Sequence, residues 1–270
     1  MNSVKNLRYA AFVVTLLATT SVAAIPAIPM SAHAESGQDL AISPAAKTAI
    51  ERMSKSLKSG AFSFRSRTVR AYAGPNGELL HIEHNMKVTV QHPDRLQVDA
   101  VGDDASSKIF YNGKNLVIYR VTQKRYSSNP APASIDEMIP VAESRMGVDF
   151  PLAALVTADP EKSLLSGVTS GGQVGKATID GTPCRHFFFI QSPDLELELW
   201  LEDNERALPR RVFVTYRSLP GHPTFLADMS DWNLSIHPSN DVFEFHPPAG
   251  VARTELMAKA NGIPAPGNKK

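Results

Sequence analysis

Cysteine is nearly missing from this chain: Cys184 is the single one in 270 residues. That excludes an internal disulfide framework and any cysteine-rich metal site. Charge of one sign is also missing. Twenty-eight Lys and Arg against twenty-seven Asp and Glu leave a net +1, so no basic surface invites nucleic acid. Long apolar runs are confined to one place, Tyr9 to Ile25. What is present, 43% hydrophobic and 20% charged residues, is the balance of a globular protein with an ample core.

The apolar run has the setting of an export signal. Lys5 and Arg8 precede it, and Ala32-His33-Ala34 places small residues at the −3 and −1 positions before Glu35. Pro26 and Pro29 break the run before a spanning helix closes. Residues 1–34 therefore read as a signal peptide cleaved after Ala34, leaving no stable membrane anchor and a periplasmic product. Losing Lys5 and Arg8 takes the net charge from +1 to −1. Residues 35–42 read as a flexible mature N-terminus, 43–251 as a single α+β domain, and 252–270 as a flexible Gly/Pro/Lys-containing tail.

The domain opens with a helix. Ser43 suits the N-cap, Pro44 the first turn, and Gly60 the stop. Ala46, Ile50, Met53 and Leu57 recur at spacings of three and four, a narrow apolar stripe. From Phe62 to Tyr126 the period falls to two. Val88 and Val90 alternate with Lys87 and Thr89, and Leu96 and Val98 with Arg95 and Gln97. Asn112-Gly113 marks a hairpin turn. A helical insert follows: a capping box at Ser134-Ile135-Asp136-Glu137, a kink or stop at Pro140, and short helices over 151–156 and 159–165. Residues 166–175 read as a glycine-rich loop. Strands resume over 185–191, 195–202, 211–216, 225–236 and 242–245. Leu197 and Leu199 alternate with Glu196 and Glu198, and Val212 and Val214 with Arg211 and Phe213.

Helix, strands, helices, strands, with no regular β–α alternation, points to one antiparallel domain and against a doubly wound sheet. The fold class expected is α+β: a strongly curved antiparallel sheet, an incomplete barrel, with helices on its concave face. If the sheet curls about its apolar side, Val88, Val90, Leu96, Val98, Leu197, Leu199, Val212 and Val214 face inward together. They are the expected lining of a ligand pocket. The plainer alternative is that helices fill that side and the eight are core.

Motifs for chemistry fail one by one. Gly171-Gly172-Gln173-Val174-Gly175-Lys176 has Ser170 and Ala177 where a phosphate loop needs Gly and Ser or Thr. His81 and His84 of His81-Ile82-Glu83-His84 point to opposite faces of a strand, so a solvated arm is expected and no metal. His92, His222, His237 and His246 each precede a proline, which strand ends explain. Cys184 enters an apolar strand and reads as buried and inert, although His186 shares its face. Asp103-Asp104, Asp136-Glu137 and Glu202-Asp203 read as solubilising pairs rather than carboxyls across a cleft. No catalytic residue and no cofactor is expected.

An ordered series of short segments carries a resemblance. It comprises His92-Pro93-Asp94-Arg95-Leu96, Tyr111-Asn112-Gly113-Lys114, Arg125-Tyr126, Ser134-Ile135-Asp136, Asp159-Pro160, Asp180-Gly181-Thr182-Pro183-Cys184-Arg185-His186, Leu199-Trp200-Leu201, Leu208-Pro209-Arg210-Arg211 and Phe243-Glu244-Phe245-His246-Pro247-Pro248. In this order they resemble a domain-of-unknown-function family of predicted periplasmic proteins. More broadly the chain resembles the lipoprotein-carrier superfamily of LolA, LolB and RseB-like sensors. That resemblance implies an incomplete antiparallel barrel that binds a lipid, a lipoprotein acyl chain or another apolar ligand without catalysis. The alternatives are an envelope sensor or assembly adaptor for a protein partner, and, behind both, a periplasmic hydrolase. The partner expected is an apolar ligand or lipidated protein, and the chain is expected to be a monomer.

Overall fold

The computed structural model describes residues 41–255, except positions 59, 75, 147, 149, 192 and 193. The expected signal peptide, nearly all of the expected mobile N-terminal segment, and the tail beyond 255 lie outside the described residues. Helix α1 spans Pro44–Leu57, with Ser43 Oγ accepting from the Ala46 N–H at 3.3 Å. Its stripe is buried as the spacing requires: Ile50, Met53 and Leu57 are all 0% exposed.

The strands in chain order are β1 (Ala61–Ala73), β2 (Leu79–Gln91), β3 (Arg95–Gly102), β4 (Ser106–Tyr111), β5 (Asn115–Arg120), β6 (Arg125–Pro130), β7 (Val168–Ile179), β8 (Thr182–Gln191), β9 (Leu195–Glu202), β10 (Pro209–Tyr216), β11 (Thr224–Asn233) and β12 (Ala252–Arg253). They form one curved, unclosed sheet in the order β12-β6-β5-β4-β3-β2-β1-β11-β10-β9-β8-β7. Every pairing is antiparallel except β12 on β6. Helix α1, the insert helices α2 (Ile135–Val141), α3 (Ala153–Val156) and α4 (Pro160–Leu165), and the inward side chains of the sheet share one core. Pro140 lies inside α2, and the chain continues as a π-helical turn over Ala142–Met146, as a missing N–H at that position invites.

The other face is wet and stitched by charge. Lys108 reaches Asp99 at 2.7 Å, Arg211 reaches Asp228 at 2.5 Å and Arg217 reaches Glu196 at 2.6 Å. The first two are direct cross-strand partners. Alternation of period two puts these groups outside and the leucines and valines inside.

The strand pattern departs from expectation in three places. Residues 166–175 are not a loop, because β7 runs from Val168 to Ile179. One of its glycines answers to packing: a Cβ on Gly171 would lie 2.4 Å from the ring of Phe189, its buried cross-strand partner. Gly171 O also accepts from Ser43 N at 2.8 Å, which ties the start of α1 to this strand. Residues 242–245 are not a strand. Asn240–Phe243 is a 3₁₀ turn, and the Phe245 ring lies 5.4, 5.3 and 4.9 Å from those of Phe110, Tyr119 and Tyr126. The segment is an aromatic anchor on the outer face. The prolines after His246 deny it ladder donors. The strand expected over 225–236 ends sooner, at Asn233.

His92 closes β2 beneath α1, its ring 5.9 Å from that of Phe62. Burial pushes this imidazole below its ordinary value of 6.5, against smaller pulls from the Leu57 backbone and Asp136. The unfolded chain therefore takes up the proton first as pH falls, and stability drops between the ordinary value and the folded one. Denaturant titrations at pH 7.5 and pH 5 are expected to show that loss. His92→Phe, which keeps the ring and removes the titration, loses less over the same interval.

Candidate functional site

The inward rows of β1–β5 grade from oil to charge. Register places Phe62, Val90, Leu96, Tyr111 and Leu116 in one row, each 0–1% exposed. Burial pushes the Tyr111 phenol up to about 12, and its hydroxyl donates to Pro132 O at 2.5 Å. The next row is Phe64, Val88, Val98, Ile109 and Ile118, and the next is Ser66, Met86, Ala100, Ser107 and Arg120. Thr68 and His84 stand one row further, with Arg70 and Tyr72 beyond them on β1.

Over these rows the insert does not close. Between the sheet and Met146, Val148, Phe150, Leu152 and Val156 lies a cavity of about 290 Å³. Its sheet wall is Phe64, Met86, Val88, Leu96, Val98, Ala100, Ile109 and Ile118; its polar end is Thr68, Arg70, Tyr72, His84, Ser107 and Arg120. Two further hollows have walls rich in polar groups. One of about 250 Å³ lies beside α1 with Arg52, Arg185 and Asp203; the other, of about 530 Å³, lies at Ser128, Asn129 and Arg253.

All eight sequence-derived residues join the core side of the sheet. Val88, Leu96 and Val98 line the cavity. Val90, Leu197, Leu199, Val212 and Val214 do not; they are 0–7% exposed and belong to the filled part of the core. The physical reason is the helical layer. Helix α1 packs against β7, α3 and α4, and its Ile50, Met53 and Leu57 share the core with the side chains of β8–β10. The concave side is thus filled under α1 and hollow under the segment 146–156.

The cavity also holds residues that the alternation argument passed over. Arg120 shares the inward parity of Leu116 and Ile118, a signal present in the sequence. His84 is not on a solvated arm: its ring lies across Gly102, where a Cβ would sit 2.2 Å from it, and Nε2 meets Asp104 at 2.8 Å. Asp103 Oδ2 accepts from the Glu83 N–H at 3.0 Å. Asp103 and Asp104 therefore fasten the turn after β3 to the middle of β2.

Elsewhere the reactive groups are occupied. Burial pushes the Cys184 thiol up, and its Sγ donates to Thr182 O at 3.4 Å. His186 contacts Glu198 at 2.7 Å and stacks on Trp200 at 4.0 Å. Among the described residues no three His, Cys, Asp or Glu converge as a metal site, and no helix is long and apolar enough to cross a membrane.

Comparison with solved structures finds similar folds at low identity. An uncharacterised conserved protein from Thermus thermophilus is 10% identical over 78% of this chain and 99% of that one, with a TM-score of 0.46. The Mycobacterium tuberculosis lipoprotein LppX is 18% identical over 72% and 99%, with a TM-score of 0.43. A LolA superfamily protein from Nitrosomonas europaea is 11% identical over 74% and 97%, with a TM-score of 0.37. No curated protein matches the sequence. A family model does match, over residues 46–257. That span takes in α1 from its third residue, the whole sheet and every wall of the cavity, and the chain belongs to the family described as predicted periplasmic protein (DUF2092).

Proposed function

We propose that the chain is exported, cleaved after Ala34, and works in the periplasm as a non-catalytic binding protein for an apolar ligand. A lipid or the acyl chain of a lipoprotein fits the description. One observation carries the reading: the sheet and the insert leave a hollow walled by Phe64, Met86, Val88, Val98, Ile109 and Phe150. A cleft of about 290 Å³ left open over an apolar wall is concave apolar surface that the chain itself does not cover. Small-molecule sites are concave, mostly apolar and carry a few placed polar groups, and this cavity has that composition. The family's description as periplasmic supports the compartment.

Native mass spectrometry of protein purified from the periplasm tests both halves. The expected result is a chain beginning at Glu35 that carries an acyl-containing species. Met1 retained on the soluble envelope protein would remove the export reading. A stoichiometric protein in place of lipid would favour an adaptor, for which the outer edge of β7 beyond its contact with Ser43, with Val174 61% exposed, offers a pairing surface.

A further inference from the structure

We infer that the ligand is a single-chain amphiphile with an oxyanion head, a carboxylate or phosphate monoester seated on Arg120 with its acyl chain along the apolar rows. This rests on the reading of the cavity as an apolar-ligand site and names the ligand's chemistry.

Arg120 stands at the polar end of the cavity. Its Nε is buried and has no hydrogen-bond partner among the described residues. A buried guanidinium N–H without a hydrogen-bond partner is costly. The residue across the ladder on the same face is Arg125, a second cation. Directly opposed like charges are unfavourable in a sheet. Asp104, the acid whose charge Arg120 feels, is held by His84 at 2.8 Å. The positive charge at this corner is left for something outside the chain.

What that is follows from the rows. Arg120 stands beside Ser107, one row above Ile118 and Ile109 and two above Leu116 and Tyr111. Polarity therefore falls along the strands, from guanidinium and hydroxyl to aliphatic and aromatic. A ligand matching this gradient has an anion at one end and hydrocarbon behind it. A guanidinium fork fits the planar oxygens of a carboxylate or the oxygens of a phosphate, and charge-assisted bonds of this kind are the strong ones. A cavity of about 290 Å³ falls just below the usual range of roughly 300–1,000 Å³, which suits one chain rather than two or three.

Isothermal titration of the delipidated full mature chain with palmitate, palmitoyl lysophosphatidate and methyl palmitate tests this. The wild type is expected to prefer both acids over the neutral ester by about tenfold or more. The tighter acid identifies the head group. Arg120→Met should lose the preference while holding the ester as before, and Arg120→Lys should keep part of it. Arg120→Met should also melt no lower than the wild type, because it removes a buried N–H that has no partner. Equal binding of acids and ester by the wild type, or an Arg120→Met variant that weakens all three alike, would overturn the inference. If the ester alone binds well, the apolar-ligand reading stands and the oxyanion head falls. If none of the three binds, the apolar-ligand reading itself is lost.

Discussion

Leu199→Ala is expected to cost about 2–5 kcal/mol of folding stability and to leave acyl binding in place. Leu199 is 0% exposed. It stands in an inward row with Phe187 on β8 and Val212 on β10, beneath the filled part of the helical layer. Truncation there removes the transfer free energy of the lost carbons and leaves a void that close-packed neighbours do not collapse into. For a chain of this size roughly 2–4 °C of melting temperature accompanies each kcal/mol, so the loss is visible by calorimetry. The same truncation at Val98, on the cavity wall, removes atoms that face a hollow, and its cost should be well below that of Leu199. Binding should respond in the opposite sense. A fluorescent acyl probe should lose affinity on Val98→Ala and keep it on Leu199→Ala. A Leu199 variant that folds as firmly as the wild type would mean that the α1 side of the barrel is not filled.

The sheet and its inner face were legible because period-two alternation is a local property. Val88 against Lys87, or Leu199 against Glu198, states which side of a strand meets oil without reference to any other strand. The α1 stripe was legible for the same reason at its own period. What the alternation does not encode is what stands above the inner face. That depends on where Met146, Phe150 and Leu152 come to rest, and these belong to a proline-interrupted insert with no sustained period. Val88 and Val212 are therefore alike in the sequence and unlike in the protein: one lines a cavity, the other is closed over. The glycines of β7 misled in a related way. Glycine is weak evidence for a strand by itself, and the reason for Gly171 is the Phe189 ring on the neighbouring strand. Arg120 shows the mixed case. Its inward parity can be read from Leu116 and Ile118, but only the folded sheet shows that its Nε finds no partner.

Ala100→Phe is expected to reduce acyl-chain affinity by about 100-fold or more without loss of stability. Ala100 lies on β3 between Met86 and Ser107, its direct partners on the two flanking strands. It faces into the cavity one row below His84. A ring placed there enters space that no side chain occupies and competes with the first carbons of a bound chain. Filling an existing cavity commonly adds about 0.5–2 kcal/mol. Adding the same ring to a filled core instead forces shifts that cost about 1–3 kcal/mol. Val212→Phe supplies that comparison, since Val212 is 4% exposed and lies outside the cavity. The paired outcome expected is an Ala100 variant that melts at or above the wild type and no longer takes up the probe, beside a Val212 variant that melts lower and still does. A 100-fold loss of affinity corresponds to about 2.7 kcal/mol at room temperature, far outside titration error. If Ala100→Phe proved as destabilising as Val212→Phe while the probe still bound, the hollow under residues 146–156 would not be the binding site, and the edge of β7 would become the surface to test.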